Sequence, residues 1–307
     1  LLCLMKLKKK LQGDGASMEL TKKIYKKVND YGILVMFSHT IFSLSFALIS
    51  MLLAGQGHLS FKTIFWVLIA FLSARTGANA LNRVIDAEID AKNPRTATRQ
   101  IPQGLMNKKE VIIFVLICFA IMVFAAAQLN TICLILSPIA LFLMTIYSYT
   151  KRFTWLCHLV LGVTSAAAPV GAWLAVTGTI SWIPLLMGAA NTLWVAGFDI
   201  IYGAQDYDFD VKNGIHSIPA RFGVKNALHI SSAFHILAVA FLIVIGLLSP
   251  DLGIIYFAGL TINIVLFIIQ HKLVAPDNLK NVKVASYSIN QVISIVFLIT
   301  GVLDCLI

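Results

Sequence analysis

Nine apolar runs, each close to twenty residues long, follow one another through this chain and decide the solvent it folds in. They fall at roughly 31–54, 61–81, 110–129, 131–150, 154–175, 181–198, 224–248, 252–270 and 285–307. Crossing the hydrocarbon of a bilayer takes about 20 apolar residues in a helix. A backbone in lipid must satisfy its own polar groups, which leaves helices or closed barrels, and runs this long are helical. Of the 307 residues, 59% are hydrophobic and only 12% charged, against about 25% charged in soluble domains. The expected fold is therefore all-α, a multi-pass transmembrane bundle of about nine helices.

Position explains the charge. The formal net charge is +10, which in a soluble chain would suggest an acidic partner or nucleic acid. No pattern of interleaved basic and aromatic residues supports nucleic acid. With the N-terminus inside, 22 of the 24 Lys and Arg residues fall on inner segments. Lys62 lies outside, and Arg75 sits within a span near its inner end. The positive-inside rule thus predicts an integral membrane protein whose N-terminus and long polar joins face the cytosol of a cell or inner membrane. Residues 1–30 read as a basic cytosolic tail and 31–307 as one transmembrane domain. Leu1 is an unusual first residue, and Met5 and Met18 are alternative starts. The first apolar run is too long for a signal peptide and lacks a small-residue cleavage site. The five cysteines show no C-x-x-C spacing, so neither a disulfide framework nor a zinc site is implied.

Two acidic stretches interrupt this apolar chain. In the first, Arg75 to Gly104, Asn82, Asp86 and Asp90 recur every four residues, which keeps them on one side of a helix. Arg75 and Asn79 share that side. Two carboxylates and an amide form a hard-oxygen site suited to Mg²⁺ that also holds a phosphate ester. In the second, Phe198 to Gly223, Asp199, Asp206 and Asp210 share a face. Asp86 and Asp206 are 120 positions apart, as are Asp90 and Asp210. The matched offset suggests two metal sites and an internal repeat. Four spans separate equivalent positions, so the halves should be parallel, unlike the inverted repeats of many transporters. Glu88 and Asp208 point off the shared faces.

N-x-x-x-D-x-x-x-D followed by a second D-x-x-x-D resembles the UbiA family of intramembrane aromatic prenyltransferases. The words NPRT, KRFT and GIHSIPARFG look like its branch acting on 4-hydroxybenzoate. The resemblance runs from about Val35 to Asp304. It implies a Mg²⁺-dependent enzyme that moves a polyprenyl group from an allylic polyprenyl diphosphate to a small aromatic acid, in respiratory quinone synthesis. Asn82, Asp86, Asp90, Asp206 and Asp210 would hold metal and diphosphate, with the four aspartates catalytic. Lys151 and Arg152 match the family's basic pair and, with Arg75, are expected to bind anionic substrate. Asp199 and Tyr202 look like substrate-orienting groups. His39 could line the aromatic pocket, and His158 reads as a packing or interfacial residue. An alternative acceptor is a dihydroxynaphthoate of menaquinone synthesis. A cation-coupled transporter is the rival from another class, but its carboxylates should lie at mid-membrane rather than at span ends.

Overall fold

The structure, a computed structural model, describes residues 27, 29–35, 41–56 and 58–307. His39 and nearly all of the basic tail lie outside them. Among the described residues there is no strand beyond an isolated bridge between Ala275 and Asn278. The helices are α1 (Ile41–Gly55), α2 (Phe61–Ile85), α3 (Ala87–Lys92), α4 (Lys108–Leu129), α5 (Thr131–Thr150) and α6 (Cys157–Thr177). They continue with α7 (Trp182–Gly203), α8 (Tyr207–Asn213), α9 (Ile218–Leu248), α10 (Ile254–Lys272) and α11 (Asn290–Leu306), the last preceded by a π-helical turn, Val284–Ile289. Eight helical segments are long and apolar enough to cross a membrane, and α1 is a shorter apolar helix. The all-helical bundle of about nine spans is the one expected from the runs.

Local chemistry sets the helix starts. Ser60, Asn107, Asn130 and Ser217 each accept a backbone N–H of the first turn on a side-chain oxygen, satisfying donors that a helix leaves open. Neighbours in sequence pack on one another, and α6 also packs on α1. The centre is aromatic: Trp194 meets Phe46, Phe267 and Phe297 edge to face, and its indole N–H donates to Asn290 Oδ1 at 2.8 Å. Large apolar side chains such as Ile113, Leu116, Ile236 and Leu247 stand exposed on the outside. That distribution suits a lipid solvent.

The two acidic stretches occupy matching places. The helices flanking the first, α2 and α4, pack extensively on each other, as do α7 and α9 flanking the second. Several helices outrun their apolar cores, since α2 reaches Ile85 and α7 reaches Gly203. Asn82, Asp199 and Tyr202 are therefore helical residues. Neither acidic stretch is one unbroken helix. The chain tightens at Asp86, whose N–H is shared by Asn82 O and Val84 O, and at a 3₁₀ turn, Ala204–Asp206. Gly223, at φ 77° and ψ 158°, kinks α9 near its start, a conformation that glycine adopts without steric cost.

Candidate active site

At the C-terminal end of α2, Asn82 Nδ2 donates to Asp86 Oδ2 at 2.9 Å. Asp86 keeps helical geometry, so Asp90 N still reaches Asp86 O at 2.8 Å across the break. Both carboxylates are buried, at 2% and 3% exposure, and a buried carboxylate needs partners to stay charged. Lys151 Nζ lies 2.7 Å from Asp86 Oδ2, and Arg152 Nη1 lies 3.2 Å from Oδ1. Arg99 donates to both oxygens of Asp90 at 2.7 Å. Asn93 takes extended geometry before Pro94, as the residue before proline prefers. That ends α3 and turns the loop bearing Arg95 and Arg99 back over the site.

The same loop holds the second acidic stretch. Asn93 Nδ2 donates to Asp206 Oδ1 at 2.9 Å, Arg95 Nε donates to that oxygen at 2.8 Å, and Arg95 Nη2 donates to Oδ2. Arg95 Nη1 donates to the Tyr202 hydroxyl, and the guanidinium carbon stands 4.7 Å from that ring's centroid. Burial alone would lower the pKa of Arg95, but the hydrogen bond to Asp206 and the charges of Tyr202 and Asp206 outweigh it and raise it above its ordinary value. Arg95 stays a cation. Asp210 accepts from Ser217 Oγ at 2.8 Å, so one serine both caps α9 and holds a carboxylate. Gly214, at φ 66°, ends α8 in the left-handed conformation common after helices. His216 N then donates to Lys151 O at 2.8 Å, joining the second acidic stretch to the turn after α5.

These groups surround a polar cavity of about 280 Å³, lined by five carboxylates (Asp86, Asp90, Asp199, Asp206 and Asp210) and four cations (Arg83, Arg95, Arg99 and Lys151). Asn79, Tyr147 and Leu161 line it and also line a second cavity of about 420 Å³. The second cavity is apolar, walled by alanines of α2 and α6 and by side chains of α4 and α5; Arg75 is its one charged lining residue among those described. A charged cavity thus borders directly on an apolar one.

The structure brings Asn82, Asp86, Asp90, Lys151, Asp199, Tyr202, Asp206 and Asp210 to the polar cavity. Arg75 is placed instead in the apolar one, because α2 runs from one cavity into the other. Arg152 lies behind the cavity wall, donating to Ile85 O at 2.8 Å and Ser148 O at 2.9 Å as well as to Asp86. Glu88 and Asp208 are exposed. Among the described residues, no three His, Cys, Asp or Glu residues are close enough to hold a metal by themselves. Sequence reasoning missed Asn93 and Arg95, whose signal lay in the N-P-R-T word within the first acidic stretch, and Arg99, three residues beyond that word. It also missed His158, which lines the polar cavity and pairs with Asp199.

A helical membrane bundle with such a charged cavity at one end, opening on an apolar one within, is the architecture of an intramembrane enzyme for amphipathic substrates. A UbiA prenyltransferase family model matches residues 43–293. The chain belongs to that family and is a prenyltransferase. It is 32% identical over 213 residues to the 4-hydroxybenzoate octaprenyltransferase of Citrobacter koseri, covering 68% of this chain and 73% of that protein. With the Vibrio campbellii enzyme of the same name it shares 29% identity over 225 residues, 73% of this chain and 78% of that one. The apo structure of a UbiA homolog from Aeropyrum pernix superimposes with a TM-score of 0.79 at 33% identity, over 87% of this chain and 98% of that one. A UbiA homolog from Archaeoglobus fulgidus, solved bound to GPP and Mg²⁺, superimposes at 0.69 with 18% identity, over 91% of this chain and all of that one.

Proposed function

We propose that this prenyltransferase joins a polyprenyl group from an allylic polyprenyl diphosphate to a small aromatic acid, 4-hydroxybenzoate or a close analogue, for a respiratory quinone. The observation that carries this reading is the direct border between the charged and apolar cavities. It suits a substrate with a polyanionic head and a hydrocarbon tail. The 4-hydroxybenzoate octaprenyltransferase relatives support the acceptor.

The donor set also fits Mg²⁺. It consists of oxygens from Asn82, Asp86, Asp90, Asp206 and Asp210, without a thiolate or a histidine pair. Mg²⁺ is held by one or two carboxylates together with substrate phosphates and water, so a site here would be completed by the substrate's own oxygens. When bound, the metal supplies charge neutralisation and orientation of the diphosphate leaving group. Lys151, Arg95 and Arg99 provide N–H donors for its oxygens, as fixed cations do for developing anionic charge. The alanine-lined wall holds the prenyl chain and excludes water from the carbon that loses diphosphate. Arg75 provides a partner for the aromatic carboxylate inside the apolar cavity, where a forked guanidinium can bind it in two places.

The test uses purified protein with a polyprenyl diphosphate and 4-hydroxybenzoate, and with a dihydroxynaphthoate as the competing acceptor. Product should form, disappear with EDTA and return with Mg²⁺. Product after exhaustive chelation would remove the metal role. Faster transfer to the naphthoate would reassign the acceptor.

A further inference from the structure

The Asp199–His158 pair stands apart from the ion pairs that hold Asp86, Asp90 and Asp206, and its geometry is that of an oriented base. His158 is 5% exposed on α6, and its Nδ1 lies 2.8 Å from Asp199 Oδ2 on α7. In the neutral imidazole, a carboxylate at Nδ1 favours the proton there and puts the lone pair on Nε2. Nε2 is buried without a hydrogen-bond partner among the described residues, although His158 lines the polar cavity. Gly203, one turn after Asp199, packs against this ring, where a Cβ would stand 3.0 Å from Cε1 and 3.6 Å from Nε2. Three residues along α6, Leu161 lines both cavities. The imidazole therefore sits beside the boundary where a diphosphate head gives way to a prenyl chain.

We infer that His158 is the base that takes the ring proton of the aromatic acceptor, with Asp199 as its positioning residue. This rests on the aromatic transfer proposed above. The allylic C–O bond breaks with its electron pair going to diphosphate, and a ring π pair forms the new C–C bond. The hydrogen on that ring carbon passes as a proton to Nε2, and its bonding pair restores aromaticity. The imidazolium produced is stabilised by Asp199.

The experiment compares the wild type with His158→Gln and Asp199→Asn. The acceptor is 4-hydroxybenzoate, either unlabelled or deuterated at the ring carbons beside the hydroxyl. Glutamine can still hydrogen-bond Asp199 but cannot take a proton, and asparagine favours the wrong tautomer. Each variant should lose kcat on the order of 10²-fold, with little change in KM for the diphosphate. Each should also show a primary isotope effect absent from the wild type, because proton removal becomes rate-limiting. An undiminished kcat in folded His158→Gln, or a loss without any isotope effect, would overturn the assignment. Absence of product from the wild type would overturn the aromatic reaction itself, and the base with it.

Discussion

Two arginines show how much a single position decides. Arg95 grips Asp206 through two nitrogens and Tyr202 through a third, a fork that lysine cannot reproduce. Arg95→Lys keeps the charge and should reduce kcat/KM for the diphosphate about tenfold, the equivalent of 1.4 kcal/mol. Steady-state kinetics with the diphosphate varied will check it. Arg152 belongs to the scaffold by its partners, the carbonyls of Ile85 and Ser148 at the ends of α2 and α5. Hydrogen bonds from a charged donor contribute about 1.5–3 kcal/mol each. Arg152→Lys should therefore lower the melting temperature in detergent, with the aromatic acid's KM unchanged. A stable variant with a raised KM would place Arg152 in contact with substrate instead.

At the scale of elements, the site depends on how closely α6 approaches α7. A Cβ added at Gly162 would collide with the backbone carbonyl of Thr192, which no rotamer change can relieve. Small residues at such crossings let membrane helices pack backbone to backbone. Gly162→Ala should cost about 1–3 kcal/mol, as overpacking does, and spread His158 from Asp199. Thermal unfolding together with turnover measures both effects. The spans themselves were legible because apolar length is a strong signal that survives any neighbouring sequence. So was the four-residue spacing of Asn82, Asp86 and Asp90, which a tightened turn at Asp86 bends without losing. Arg95 and Arg99 were not legible as site residues, because a loop has no period and its fold-back depends on Asn93 and Pro94. His158 was hidden for another reason: it is a lone polar residue on an apolar helix, and its partner lies 41 positions away on α7. Arg75 shows the limit of face arguments, since one helical face runs through two cavities of opposite character.

For the whole molecule, the bias of Lys and Arg toward one set of joins predicts that the charged cavity opens to the cytosol. Single cysteines at the exposed positions Lys108 and Lys212, in a cysteine-free background, should react with an impermeant thiol reagent only in inside-out vesicles. Labelling from the outer face of intact cells would reverse the orientation. The interlocked charges of that cavity carry a consequence of their own. Asp86, Asp90 and Asp206 already hold Lys151, Arg99 and Arg95, so the resting mouth is internally neutralised. A divalent cation arriving alone meets acids that are taken, and a lone polyanion meets bases that are taken. Arriving together, each frees the other's partners. If metal and diphosphate bind here, such coupling would be reciprocal, each ligand raising the other's affinity.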